Sequence, residues 1–195
     1  MKMQKLHLVF ALVFLFLISG TAFLISGTAL LGQSDKQTDR RSVGKELDVW
    51  VSNIEKELVP AADAMPEDKY VFAPTNGEFE GVRTFAEQVK HLAATQYILA
   101  SAVLGEKPPH GERDETAPDS IKTKAEIMEY LKGSFVYLHR AAVAISEQNE
   151  SETIRSMGNR TRPGLMVDAL AHSSNHYGQM VEYLRMNGII PPASR

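Results

Sequence analysis

Apolar residues recur at helical spacing in four separate stretches of this 195-residue chain, and the text between them is rich in proline, glycine and charge. In the first stretch they stand at Val43, Leu47, Trp50, Val51, Ile54 and Leu58, with Asp, Glu and Lys on the other face. Pro60 and Pro66 then predict an end near Ala64. A second helix is predicted over 82–104, through Phe85, Val89, Leu92, Leu99 and Val103, stopping at Gly105. The third is predicted over 121–148, with Asp119 or Ser120 as N-cap and a stripe of Ile121, Met128, Leu131, Phe135, Leu138, Ala142 and Ile145. Pro163 opens the fourth, which runs to Asn187 before Gly188 closes it. No stretch reads as a convincing strand. Four amphipathic helices with no other layer to pack on must bury their stripes against one another, so the domain, 42–192, is expected to be an all-α four-helix bundle. Loops of about 15 residues can span a helix of about 35 Å, which leaves parallel and antiparallel neighbours both open.

What precedes the bundle is a different kind of text. Lys2 and Lys5 stand before an uncharged apolar run over 8–31, and a polar, charged linker, 34–41, follows. Residues 1–33 therefore read as an export segment rather than as part of the fold. The run contains a tandem duplication, 16–22 repeated as 23–29. Its length of about 24 residues would span a bilayer, whereas the core of a cleaved signal is usually about 7 to 15. Small residues at Gly20-Thr-Ala22 and Gly27-Thr-Ala29 suit signal peptidase, so a cleaved signal peptide and an uncleaved transmembrane anchor both remain open. Either way the cationic N-terminus stays in the cytoplasm and the body is expected outside it, periplasmic or otherwise extracytoplasmic. Contact with the membrane is then through this segment only, if it is uncleaved.

The chemistry-bearing residues are histidines. His172 and His176 are four apart in the fourth helix, the spacing at which two imidazoles stack on one face and can share a metal ion. At about 100° per residue the apolar arc of that helix centres near Ser173, Met180 and Leu184. The pair lies on one flank of this arc beside Asp168 and Gln179, at the edge of the core. His91, the one histidine of the second helix, is the candidate third ligand. The wheel sets it off the main stripe, in company with Ala94 and Ile98, so a solvent-facing histidine is equally open. Glu87, one turn before His91, and Asp168, one turn before His172, are candidates for handling protons or orienting the ligands, although surface carboxylates are the simpler reading. Gln179 is a candidate for orienting a ligand or water. His139 reads as packed or partly exposed, and Arg155, Arg160 and Arg162 as a solvated loop at the head of the fourth helix.

Composition narrows the function further. A formal net charge of −3 offers no broad cationic surface, which argues against nucleic acid as a partner. The absence of cysteine removes thiolate ligands and a cysteine nucleophile.

The run His172-x-x-x-His176-Tyr-Gly178-Gln179-x-x-x-Tyr183-Leu184-Arg185-x-x-Gly188-x-x-Pro191-Pro192 resembles the closing motif of the DinB-like (DinB/YfiT) superfamily. Phe85-Ala-Glu-Gln-Val-Lys-His91-Leu-Ala resembles its second-helix histidine motif. The resemblance implies a bundle of up-down-down-up order and a divalent metal, nickel or zinc, held by His91, His172 and His176. It also implies a small-molecule substrate, since characterised relatives include thiol transferases that use low-molecular-weight thiols and a mycothiol-dependent maleylpyruvate isomerase. This chain departs from them in carrying an export segment, whereas those thiols are cytoplasmic cofactors. The expectation is an exported metal-dependent transferase or hydrolase. The alternative is a non-catalytic, membrane-associated helical interaction module, open to homodimerisation through its bundle helices, with a structural metal or none.

Overall fold

The computed structural model describes residues 41–195. The export or anchor segment, 1–33, and all of the linker but Arg41 lie outside the described residues. Four helices carry the fold: α1 (Val43–Ala64), α2 (Phe85–Leu104), α3 (Lys124–Val143) and α4 (Arg162–Met186). Among the described residues no helix is long and apolar enough to cross a membrane.

Local chemistry sets the ends. Ser42 caps α1, whose last residue is the expected Ala64 even though Pro60 lies inside the helix. α2 begins at Phe85 rather than 82, because Thr84 and Glu87 form a reciprocal capping box. An identical box, Thr123 with Glu126, starts α3 at Lys124 instead of 121 and supersedes Asp119 and Ser120 as caps. That helix also ends five residues earlier than expected, at Val143, where the Asn149 side chain bonds Ser146 N–H and the Ala144 carbonyl and turns the chain. The reading without strands missed a two-residue antiparallel ladder, Thr153–Ile154 with Arg160–Thr161, turned by Gly158 and Asn159 in the left-handed region. A ladder this short leaves no alternation to detect.

α1 and α2 each pack against both α3 and α4. The first turn of α1 meets the end of α3 at Gly44, where a Cβ would stand 2.5 Å from the Ala142 carbonyl oxygen. The other end of α1 meets the start of α3, with Lys124 Nζ donating to the Asp63 and Met65 carbonyls. These two helices are therefore antiparallel. α2 and α4 are antiparallel as well, since Gln88 reaches Gln179 while Arg162 reaches the Val103 carbonyl. α2 and α3 run the same way: Lys90 contacts Ile121, Gln96 contacts Ser134, and Glu106 pairs with Arg140. The directions are thus up, down, down, up. A parallel α2–α3 pair obliges the connection over 105–123 to travel back along the bundle.

The core collects the predicted stripes, with Leu47, Val51, Ile54, Leu58, Phe85, Val89, Leu92, Leu131, Phe135, Leu138, Met180 and Leu184 all buried. Val43 and Trp50 are exceptions and remain exposed. α2 is buried on almost every side, by α3, α4 and the loops that flank it. A polar spine crosses this core. Gln96, fully buried, donates to Ser173 Oγ at 3.0 Å and accepts from Ser134 Oγ at 2.6 Å, tying α2 to both neighbours.

His139 makes a second tie, between α3 and α1. Its Nδ1 donates to Asp48 at 2.6 Å and its Nε2 to Glu55 at 3.1 Å. Burial alone would lower its proton affinity, but the two carboxylates outweigh that and raise it above the ordinary value. A raised folded-state pKa contributes stability that is fully present below the unfolded value, about 6.5, and is lost as pH climbs through the folded one. With the ring 31% exposed, solvent screening holds the gain to about 1 kcal/mol. We expect His139→Gln to lower Tm, relative to the parent, by about 3 °C at pH 5.5 and by less at pH 9 in paired thermal melts. An equal deficit at both pH values would contradict the charged tie.

Candidate metal centre

α2 and α4 cross where His91 faces His172 and His176. The Nε2 atoms of His91 and His172 are 3.1 Å apart, and those of His172 and His176 also 3.1 Å. All three donor atoms fall within 4.8 Å of one another. His91 and His176 are buried and His172 is partly so. The wheel expectation of a solvent-facing His91 fails because α2 has no solvent face at that level: Ala94, on the same side, is also fully buried.

The ring orientations follow from what each Nδ1 meets. His91 Nδ1 lies 3.0 Å from the backbone carbonyl oxygen of Glu115, which can only accept. His176 Nδ1 lies 2.6 Å from Gln88 Oε1, and Gln88 Nε2 in turn donates to Gln179 Oε1 at 2.7 Å. Both rings therefore carry their proton on Nδ1 and turn an Nε2 lone pair inward. His172 Nδ1 is buried without a partner. A single Nε2–H on His172 can serve only one of the two facing lone pairs, so the protein alone cannot satisfy the cluster.

A cation satisfies it. Three nitrogens about 2.0–2.1 Å from one tetrahedral ion stand roughly 3.3 Å apart, close to the separations seen. His172 and His176 are also neutral near pH 7. Burial, then the neighbouring imidazoles, lowers the pKa of His172 and pushes that of His176 down to about 3, with Arg83 adding to both. Neutral imidazoles are the form that binds metal. The donor set thus fits a late first-row divalent ion.

The other sequence candidates divide. Gln179 belongs to the site, one step removed, as the acceptor that orients Gln88. Glu87 is spent on the α2 cap, which lowers its pKa, although it borders the groove outside His91. Asp168 pairs with Arg160, and Arg162 with Glu152, at the head of α4. Two further contributors were not foreseen. Gln88 had a signal, being a polar residue one turn before His91 on a helix otherwise apolar at that face. The Glu115 carbonyl had none, because a backbone atom in a loop leaves no mark in side-chain pattern.

Two grooves open beside the histidines and share the Gly81–Arg83 strap. One, about 460 Å³, runs past His91 between Lys90, Glu87 and Glu115. The other, about 380 Å³, is lined by Phe79, Val82, Tyr183 and Met186, with Gln88 and Gln179 at its wall. Arg83 borders both and forms no ion pair among the described residues. One groove thus borders the centre at His91 and the other at its Gln88–Gln179 wall.

Comparison with known proteins adds a family to this geometry. The model for the DinB superfamily matches residues 52–180, a span that begins within α1 and takes in all three histidines. No curated protein matches the chain.

Orienting contacts behind metal ligands commonly contribute a factor of about 10 to 100 in affinity. Gln88→Leu should therefore weaken zinc or nickel binding by about that much in a competition titration, with Glu87→Gln near the parent value. Equal affinity for the Gln88 variant and the parent would remove Gln88 from the site.

Proposed function

The chain belongs to the DinB superfamily, and on that premise we propose that it is an exported, metal-dependent enzyme, a transferase or hydrolase acting on a small molecule. The observation that carries the reading is the convergence of three Nε2 atoms, two of them on rings whose Nδ1 meets an oxygen acceptor. His91, His172 and His176 would hold the ion. Nickel and zinc both suit three imidazoles. A divalent ion held by only three protein ligands supplies an open Lewis-acid position that lowers the proton affinity of a water or thiol placed there.

The chain's own residues account for the rest. Gln179 holds Gln88, and Gln88 holds the His176 ring, so the donor set is oriented before any ligand arrives. The apolar wall of Phe79, Val82 and Met186 suits a hydrophobic portion of a substrate. Arg83, with no carboxylate partner among the described residues, suits an anionic group at the mouth. Glu87 is engaged in the α2 cap and Asp168 in its pair with Arg160. Export rests on the sequence over 1–33, where two lysines precede a long apolar run.

Metal analysis is the direct test. Untagged protein, reconstituted and freed of excess ion, should carry one zinc or nickel per chain. His172→Ala should lose it and retain its helical circular dichroism. Substoichiometric metal in the parent would sink the reading. Export is tested separately by cell fractionation with mass spectrometry of the N-terminus, and a body recovered in the cytoplasm would contradict it.

A further inference from the structure

The loop over 105–123 buries a carboxylate that the metal centre does not use. Glu112 is 5% exposed, the one Asp or Glu buried among the described residues. A carboxylate in such a place is costly unless its oxygens are satisfied. Both are. Oε1 accepts from the Tyr130 hydroxyl at 2.6 Å, and Oε2 accepts from the His110 backbone N–H at 3.1 Å. The rings of Tyr97, His110 and Tyr130 close around the spot with centroids 5.0 to 5.4 Å apart. The loop is thereby fastened to α3 at this point.

Three residues further on, Glu115 has φ 60°, a left-handed conformation that a non-glycine residue keeps only when its surroundings hold it. Its carbonyl oxygen is the atom that accepts from His91 Nδ1 at 3.0 Å. Its carboxylate stands 3.8 Å from that nitrogen and is largely exposed, so the backbone makes the closer contact. Three residues reach at most about 10 Å, so the anchor at 112 restricts where the 115 carbonyl can lie.

We propose that the Tyr130–Glu112 pair fixes His91 in its ligating tautomer, acting from α3 through the loop backbone to the Glu115 carbonyl. Tyr130 and Glu112 are positioning residues, more than one contact removed from the ligand they set. The proposal deepens the three-histidine reading and rests on it for its consequence, metal affinity. Its cause, the tautomer of His91, exists without metal. Coupling of this kind runs both ways, so metal at the histidines also holds the loop.

The experiment uses full-length, metal-free protein with 15N-labelled histidine, in which long-range N–H correlation spectra report which ring nitrogen carries the proton. In the parent, His91 is expected as the Nδ1–H tautomer. In Tyr130→Phe it becomes a mixture of Nδ1–H and Nε2–H, and zinc affinity falls about tenfold, a loss typical of orienting contacts. Glu112→Ala, which removes both acceptors, gives the same shift by a second route. Tyr97→Phe removes a hydroxyl from the same aromatic group without touching Glu112, and leaves tautomer and affinity as in the parent. A purely structural role for the pair would lower Tm in both variants and leave the folded His91 tautomer unchanged, which overturns the proposal. A parent that binds no zinc but shows the tautomer shift overturns the metal reading and upholds the positioning role.

Discussion

Buried polar atoms have to be satisfied, and in this protein that requirement is concentrated on the seam between α2 and α4. Gln88, His91 and Gln96 on one helix face Gln179, His176, His172 and Ser173 on the other. Gln96 bonds serines from both neighbours, through its amide nitrogen to one and its oxygen to the other, and that end of the seam acts as a register pin for the bundle. The histidine end is satisfied only in part. Two Nε2 lone pairs and one imidazole that can donate to a single neighbour leave a deficit that a cation removes. A half-satisfied polar cluster in a protein interior is one that a ligand could complete.

The run directions of the helices decide who else contributes. Because α2 and α3 are parallel, their connection must return along the bundle, and it passes Tyr130, Tyr97 and then His91 on the way. An antiparallel pair with a short turn would leave His91 Nδ1 facing solvent and its tautomer free. The capping box at Thr84 has a comparable effect on the other side. By starting α2 at Phe85 it leaves the Gly81–Arg83 strap as loop, and the strap becomes the common wall of both grooves, held by the Tyr183 hydroxyl on the Arg83 carbonyl at 3.0 Å.

The bundle and its histidine pair were legible in the sequence because helical periodicity and i, i+4 spacing are local properties of a chain. The apolar stripes at Leu47, Val51, Ile54 and Leu58 and at Leu131, Phe135 and Leu138 sit in the core as their spacing requires. Helix ends were legible where glycine or proline marks them, as at Gly105 and Gly188, both in the left-handed region. They were less so where Thr123 and Thr84 compete with other polar residues for the cap. His91 shows the limit of the wheel. A wheel assumes one buried face and one wet face, whereas α2 is covered on almost every side, and its histidine is buried at an angle from its own apolar stripe.

By itself, then, the sequence determined that four helices form, which faces of α1, α3 and α4 turn inward, and that His172 and His176 share a helix face. Matching two motifs to a family supplied His91 as their partner. Only the tertiary structure decided that the three Nε2 atoms meet, that Gln88 and the Glu115 carbonyl set the ring tautomers, and that Glu87 and Asp168 are engaged elsewhere. The physical reason is distance along the chain. The contacts that build the bundle's elements lie within a few residues, while those that bring the site together across the bundle join residues 24 to 91 apart, through side-chain and backbone atoms whose meeting no local pattern encodes.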